Sequence, residues 1–345
     1  MSFPLDPRFF PGVADPARVE VGLARWHEAA DLQDDPELAA FMRSLPGTEP
    51  VGSLLRGVFA NSPFLTLCLE KEPAFLRHAL EVGPDAAMDG LVLGLKAELA
   101  AETDLKRLML ELRVAKRRCS LLAALADLGG AWPLEKVTGA LALMAETACR
   151  LGLSFLLRRE AERGNLTLAH PDDPEKGSGI IVLGMGKLGA RELNYSSDID
   201  LVVFYDHEKL VYTGKRSVQE CVIAMTKELV RILDERSADG YVFRTDLRLR
   251  PDPGSTPPAV ALVAAEAYYE GFGQNWERAA MIKARLVAGD EETGAAFIRF
   301  LRPFIWRKSL DFAAIQDIHS IKRQINAHKG GRSIAVAGHN VKLGR

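Results

Sequence analysis

Residues 184–206 read GMGKLGARELNYSSDIDLVVFYD, and this stretch decides the fold of the chain. Within it, Asp198 and Asp200 stand two residues apart in an apolar run whose alternation predicts a β-strand. Residues i and i+2 of a strand point to the same face, so both carboxylates should project side by side, about 7 Å apart along the chain. Two carboxylates on a core strand are costly unless they are paired or bind a metal. Hard oxygen ligands of this kind suit Mg²⁺, which prefers carboxylates together with phosphate oxygens of a substrate.

A glycine-rich turn precedes this strand. Gly179–Leu183 (GIIVL) reads as a buried strand, and Gly184, Gly186 and Gly189 follow it with Lys187 among them. Glycines let backbone N–H groups approach a phosphate, and a helix that starts there adds its positive end. The spacing matches neither the P-loop nor the dinucleotide fingerprint. A glycine-rich turn followed by Asp-x-Asp on the next strand is the arrangement of nucleotidyltransferases, which include the polymerase-β-like enzymes.

A third carboxylate is expected from a later strand. Residues 241–250 read YVFRTDLRLR, with apolar side chains on one face and Arg244, Asp246, Arg248 and Arg250 on the other. An acid among three arginines predicts a phosphate site with a third carboxylate on its metal side. The alternative is a solvated strand face with local ion pairs. That alternative explains Asp246 alone equally well, but it is much weaker once the preceding acidic pair is included.

Composition limits the function classes. The chain has 345 residues, of which 48% are hydrophobic, enough for two or three domains with a sizeable core. The formal net charge is −2, which gives no general affinity for nucleic acid and argues against a polymerase. The four cysteines form no CxxC pair, as expected for a protein of the reducing cytoplasm. We expect no signal peptide, because the N-terminus MSFPLDPRFF lacks a basic region followed by an apolar one. We expect no membrane association, because the longest uninterrupted apolar stretch, residues 259–265, is too short to span a bilayer.

The order of patterns predicts an α+β protein. Residues 1–175 should form an N-terminal helical domain, with helix starts at Asp35-Pro36 and Ser62-Pro63. A basic run in this domain, at Arg113 and residues 116–118, is interpreted as a solvated helix face. Residues 176–260 should form a polymerase-β-like nucleotidyltransferase α/β core with a mixed sheet. Residues 261–345 should add C-terminal helices that complete the catalytic part.

Two further helical segments are predicted, one in the α/β core and one in the C-terminal part. Residues 216–237 keep helical spacing between the two acidic strands. From Ala261 onward the chain reads as helical again, and it carries Lys283 and Arg285. These two cations are candidates for contacts with phosphate or with a protein, and a solvated helix face explains them equally well.

The motifs resemble those of the glutamine synthetase adenylyltransferase family, whose members are bifunctional and also act as adenylyl-tyrosine phosphorylases. The resemblance is carried by GKLGARELNYSSDIDLVVFYD (186–206), RTDLRLRPDPG (244–254), YYEGFGQNWERAAMIKARLVAGD (268–290), HKGG (328–331) and NVKLGR (340–345). Family members contain two similar nucleotidyltransferase halves, and ELNYSSDID and WERAAMIK look like the N-terminal one. Since Arg345 falls inside a motif that family members continue, we expect a second half to be missing.

The resemblance implies a reaction and a set of site residues. The N-terminal half of family members removes AMP from the adenylylated tyrosine of glutamine synthetase, with phosphate as acceptor and ADP as product. Mg²⁺ or Mn²⁺ would be held by Asp198, Asp200 and Asp246. Phosphates would be bound by the set Gly184, Gly186, Lys187, Ser197, Arg244, Arg248, Arg250, Lys283 and Arg285. The implied partners are adenylylated glutamine synthetase, adenine nucleotide, phosphate and a PII-type nitrogen signalling protein.

Two alternatives stay open on the residues alone. The carboxylates serve equally well for adenylylation in the forward direction or for another nucleotidyl transfer such as uridylylation. A regulatory module that docks glutamine synthetase without turnover is a different class of function. The intact acidic triad argues against that second alternative.

Overall fold

The computed structural model describes residues 2–306 and residue 323. Along the chain, helices precede and follow a five-stranded mixed sheet, so the α+β prediction is confirmed. The family-like motifs at 328–331 and 340–345 lie outside the described residues. The chain divides into two compact units, one of residues up to 100 with 110–144, the other of residues 101–109 with the chain from 145 onward.

The helices of the N-terminal half start at capped prolines. Pro16, Pro36 and Pro63 each occupy a first helical turn, where a missing N–H costs nothing. Side-chain oxygens of Asp15, Asp35 and Ser62 cap those turns, as was expected for the second and third. The helices are α1 (Pro16–Asp31), α2 (Pro36–Ser44), α3 (Val51–Asn61), α4 (Pro63–Lys71), α5 (Pro73–Val82), α6 (Pro84–Leu99), α7 (Leu105–Leu128) and α8 (Leu134–Glu162).

The first unit buries an ion-pair cluster that the sequence did not reveal. Glu72 is only 4% exposed and accepts hydrogen bonds from Arg117 Nε at 2.7 Å and Arg118 Nε at 2.6 Å. Arg113 is itself buried. The interpretation of this basic run as a solvated face is therefore wrong. Its arginines neutralise a buried carboxylate from the start of α5, 45 residues away in sequence, and helical periodicity carries no information about such a partner.

Helix α8 runs through both units. Residues 145–162 group with the sheet, whereas the sequence placed them in a helical domain of residues 1–175. Among the described residues, α8 is long and apolar enough to cross a membrane by length and composition, and 78% of the qualifying window is buried inside the protein. Such a composition is equally that of a core helix.

The sheet of the second unit holds the acidic residues. Its strands are β1 (Ile180–Gly184), β2 (Ile199–Tyr205), β3 (Thr245–Asp246), β4 (Ala259–Ala261) and β5 (Arg285–Gly289). β1 pairs antiparallel with β2 on one side and with β5 on the other. β3 and β4 both pair parallel to β2, at its start and its end respectively. They therefore share the edge of β2 that β1 leaves open.

Helices cover the sheet from two sides. α9 (Gly186–Gly189) is a single turn after β1, and α10 (Val218–Asp234) starts with a capping box between Ser217 and Glu220. α11 (Leu262–Gly271), α12 (Asn275–Met281) and α13 (Glu291–Ile305) follow. Val202 and Phe204, on the same side of β2 as Asp200, share a buried cluster with residues of these last three helices. The other face of β2, starting with Ile199 and Leu201, is equally dry, so β2 is buried on both sides.

Two secondary-structure expectations are wrong. The strand predicted over residues 241–250 is reduced to Thr245–Asp246, and Arg248 and Arg250 lie in the turns beyond it. The segment from Ala261 is not entirely helical, because Arg285 opens strand β5. β3 is short because only Thr245 and Asp246 pair with β2, and Arg285 lies in a strand because β5 pairs with β1.

Candidate active site

Two of the three acidic residues follow directly from strand β2. Asp200 is its second residue, and Asp198 precedes the strand by one position, so both fall on one side by alternation. The Asp200 carbonyl accepts a hydrogen bond from Met185 N–H at 2.8 Å, which fixes the turn after β1 against the start of β2. Gly186 has φ +53°, and a Cβ there would lie 3.2 Å from Asp200 Oδ2. The glycine-rich turn therefore passes directly beside this carboxylate.

The third acidic residue is brought next to this pair by strand register. Asp246 on β3 is the partner of Asp200 on β2, and Thr245 is the partner of Ile199. Neighbouring strands are about 4.8 Å apart, which puts the two aspartates on adjacent positions of one sheet. The proximity expected from the sequence is present, although the strand that carries Asp246 is only two residues long.

Each outer aspartate is held by an arginine. Arg244 donates from Nε to Asp198 Oδ1 at 2.5 Å and from Nη2 to the Ser196 carbonyl at 2.6 Å. Arg248 donates from Nε and Nη2 to Asp246, at 2.9 Å and 2.5 Å from Oδ2. These hydrogen bonds, to Asp198 and Asp246 respectively, are the main reason that the pKa of each guanidinium is raised. The charges of Asp200 and Asp198 raise the pKa of Arg248 further, after the hydrogen bond and charge of Asp246.

The turn between β1 and β2 carries a polar chain of contacts. Lys187 Nζ donates to Ser197 Oγ at 3.2 Å, and Ser197 Oγ donates to the side-chain oxygen of Asn194. Lys187 is exposed, with its ammonium on the side of the site. α9 is one turn long, so the dipole expected from a helix after the glycines is small, and the positive charge comes mainly from the lysine.

Four residues proposed as phosphate ligands have structural partners. Gly184 lies inside β1, where a Cβ would meet Val287 Cγ1 at 2.6 Å, so it is a packing glycine. The Arg250 guanidinium donates to the carbonyls of Leu247, Pro253 and Thr256. Lys283 pairs with Glu192 at 2.6 Å, and Arg285 pairs with Glu146 at 2.7 Å. These four residues therefore have contacts away from the acidic residues. The remaining predicted ligands, Gly186, Lys187, Ser197, Arg244 and Arg248, lie near them.

The donor set suits a divalent cation in chemistry. Carboxylate oxygens are the ligands that Mg²⁺ and Mn²⁺ prefer, and Gly186 leaves room beside Asp200 Oδ2 that any side chain would fill. Across residues 2–306, however, no three His, Cys, Asp or Glu side chains converge into a ready-made metal site. Asp198 and Asp246 turn toward Arg244 and Arg248 instead. An ion held by Asp198 or Asp246 would therefore share that carboxylate with an arginine or displace the arginine from it.

Sequence reasoning missed the groups that support the site. Asn194 accepts from Ser197, the Ser196 carbonyl accepts from Arg244, and Glu192 holds Lys283. All three lie in the segment between the glycine turn and β2. The available signal was the polar character of these residues and their closeness to Asp198 in the sequence. Polar groups that are partly buried need hydrogen-bond partners.

Comparisons with known proteins agree with this geometry. A mixed sheet with an acidic pair after a glycine turn, and a third acid on a parallel neighbouring strand, defines the class of nucleotidyltransferases. The family model for glutamate-ammonia ligase adenylyltransferase matches residues 52–300. The chain belongs to that family.

Curated relatives in this family carry one shared name. The chain is 46% identical over 337 residues to the bifunctional glutamine synthetase adenylyltransferase/adenylyl-removing enzyme of Rhodopseudomonas palustris strain BisB5, covering 97% of the chain and 34% of the relative. The same-named proteins of Mesorhizobium japonicum and Agrobacterium fabrum are 48% identical over 95% of the chain and 50% identical over 90%. The chain covers 34% and 32% of their lengths, so it spans about a third of these relatives.

Proposed function

We propose that this chain removes AMP from an adenylylated tyrosine of glutamine synthetase by phosphorolysis, with phosphate consumed and ADP released. The observation that carries nucleotidyl transfer is the pairing of Asp200 with Asp246 beside Gly186. Removal rather than addition of AMP is supported by the resemblance of residues 192–200 and 276–285 to the removing half of the family. The relatives' shared name includes both activities.

The proposed reaction is a single displacement at phosphorus. An oxygen of inorganic phosphate attacks the α-phosphorus of the tyrosyl-AMP ester, the new P–O bond makes ADP, and the bond to the tyrosine oxygen breaks. That oxygen then takes a proton. A bound Mg²⁺ or Mn²⁺ polarises phosphoryl oxygens and neutralises charge that develops on them. Asp198, Asp200 and Asp246 would hold that ion.

The cationic side chains orient the phosphates. Lys187 and Arg248 are exposed beside the carboxylates and can each donate charge-assisted hydrogen bonds to phosphate oxygens. Arg244 keeps Asp198 in position by donating one hydrogen bond to its carboxylate and one to the backbone carbonyl of Ser196. Backbone N–H groups of the turn at Gly186 would bind the α-phosphate, and the missing side chain supports this because it allows close approach. Preorganised donors of this kind are effective because they need no reorientation during the reaction.

The partners and the compartment are part of the same proposal. Glutamine synthetase would be the protein substrate, adenine nucleotide and phosphate the small-molecule ligands, and a PII-type signalling protein a regulator by family resemblance. The cytoplasm is the compartment that fits four buried, unpaired cysteines.

The test is ADP formation from adenylylated glutamine synthetase as phosphate concentration is varied, with and without a chelator. We expect saturable phosphate dependence and complete inhibition by chelator. Asp198→Asn and Asp200→Asn should each abolish turnover while the circular dichroism spectrum stays unchanged, and Asp172→Asn, an exposed acid in a remote turn, should keep full activity.

Three outcomes contradict the proposal. ADP formation that is unchanged by the chelator would show that the reaction needs no metal ion. Release of AMP without phosphate dependence indicates hydrolysis. Activity of both aspartate variants within about tenfold of the unsubstituted chain removes their role, since loss of a metal ligand should cost far more.

A further inference from the structure

Arg248 has an unusual position among the arginines of the site. Its side chain is 83% exposed, and its recorded side-chain hydrogen bonds in the described structure all go to the Asp246 carboxylate. Nε approaches both carboxylate oxygens, at 3.0 Å and 2.9 Å, and Nη2 lies 2.5 Å from Oδ2. The guanidinium therefore covers both oxygens that Asp246 could offer to a cation.

The two neighbouring arginines are anchored differently. Arg244 is 35% exposed and also donates to the backbone carbonyl of Ser196, in the turn before β2. Arg250 is bound to three loop carbonyls. Arg248 alone of these three combines an exposed side chain with a purely carboxylate contact, so it is the one that can change partner with little rearrangement.

We propose that Arg248 occupies the cation position at Asp246 until phosphate arrives, and that it then passes from Asp246 to the phosphate, freeing the carboxylate for the metal ion. The inference rests on the proposed function, whose phosphate and ion it uses. A guanidinium fork matches a carboxylate and a phosphate equally well, because both present two oxygens at similar spacing. A divalent cation and the fork compete for the lone pairs of the same two oxygens and repel each other as like charges, so each weakens the other's binding to Asp246.

The consequence is positive coupling between phosphate and metal. Phosphate that engages Arg248 removes the competitor from Asp246, so the ion binds more tightly, and by linkage the ion makes phosphate bind more tightly by the same factor. Exposed arginine–carboxylate pairs are weak, so release of Arg248 should change metal affinity only about threefold to fivefold. Arg248 is thus a positioning residue that sets when Asp246 becomes a ligand.

The experiment measures Mn²⁺ binding to the whole chain, with free Mn²⁺ counted by electron paramagnetic resonance, in the absence and presence of inorganic phosphate. Arg248→Ala and Arg248→Lys are compared with the unsubstituted chain. Lysine keeps the charge but cannot span both oxygens of Asp246. Arg299→Lys, on an exposed position of α13, controls for the exchange itself. Unfolding midpoints confirm that every variant is folded.

We expect both Arg248 variants to bind Mn²⁺ about threefold to fivefold more tightly without phosphate, and phosphate to tighten Mn²⁺ binding less in them than in the unsubstituted chain. Unchanged Mn²⁺ affinity in Arg248→Lys, with tighter binding only in Arg248→Ala, would mean that charge alone acts and would overturn the exchange of partners. Equal phosphate coupling in all variants would overturn it too.

A failure of the proposed function can be distinguished from a failure of the inference about Arg248. If the Arg248 variants behave as expected while no ADP is formed from adenylylated glutamine synthetase, the coupling stands and the reaction assignment falls. If Asp246→Asn leaves Mn²⁺ affinity unchanged, Asp246 is not a ligand and the inference about Arg248 falls, whatever the activity.

Discussion

Gly186→Ala is the substitution that most directly probes the contact between the glycine turn and the acidic residues. Gly186 has φ +53°, in the left-handed region, where a Cβ costs an L-residue about 1–2 kcal/mol. The added methyl group would also lie 3.2 Å from Asp200 Oδ2, so the carboxylate must shift by a few tenths of an ångström. The change therefore strains the backbone and also displaces an oxygen of Asp200, a proposed metal ligand.

The two effects can be given separate magnitudes. Backbone strain alone should lower the free energy of unfolding by about 1–2 kcal/mol. A displacement of about 1 Å at a reacting centre costs roughly a hundredfold in rate, so a few tenths of an ångström, together with the space lost beside Asp200, should lower turnover about tenfold or more. Mn²⁺ affinity should fall as well, because the methyl group takes room that an ion or a phosphate oxygen would use.

Gly164→Ala is the matched control. Gly164 has φ +70°, and a Cβ there would have no atom within 4 Å, so it carries the same kind of strain without reaching the site. Urea unfolding should give similar losses for the two variants, whereas ADP formation and Mn²⁺ affinity should fall only in Gly186→Ala. Turnover of Gly186→Ala within about twofold of that of Gly164→Ala would refute the reasoning.

Two further predictions concern stability. Asp290 caps α13 and also accepts from Gly179 N–H at 3.3 Å. Burial alone would raise its pKa, but hydrogen bonds from Thr293 and Gly179 outweigh burial and lower it. Asp290→Ala should therefore cost about 3 kcal/mol in urea unfolding at pH 7, against about 1 kcal/mol for Ser217→Ala at an exposed cap, and equal costs would contradict this. Its contribution should be lost as pH falls through the lowered pKa. Glu175 behaves oppositely, since burial raises its pKa to about 7 despite hydrogen bonds from Gly289 N–H, Arg150 and Ser154. The folded protein then holds this proton more tightly than the unfolded chain, so stability should fall by up to about 3 kcal/mol as pH rises from about 4.5 to 7. Glu175→Gln should remove that slope in urea titrations at pH 5 and 7.5, and an unchanged slope would count against the raised pKa.

The parts of the fold that could be predicted are those with strong local signals. β1 and β2 are marked by glycines and apolar runs, and α10 by helical spacing within residues 216–237. The structure places α10 at Val218–Asp234, with its start fixed by the Ser217–Glu220 capping box. The positions of Asp198 and Asp200 follow from alternation alone.

The parts that could not be predicted depend on distant partners. The alternation of arginines over residues 244–250 imitates a strand, but Arg244 is placed by Asp198 and Arg250 by the carbonyls of its own loop. β4 has three residues and exists because it pairs with the end of β2. The sequence around Arg285 predicts a helix, but Arg285 lies in a strand because this segment pairs with β1. Apart from the loop carbonyls that Arg250 contacts, none of these partners lies within a short window of sequence.

The shared edge of β2 gives the loop between β3 and β4 a fixed span. β3 is anchored at residues 199–200 of β2 and β4 at residues 203–205, so the loop ends are separated by only about 10 Å of strand. Residues 247–258 could span much more than this distance. The Arg250 guanidinium holds them together by donating hydrogen bonds to the carbonyls of Leu247, Pro253 and Thr256. We therefore expect changes in the length of this segment to leave both anchors, and with them the place of Asp246, in register.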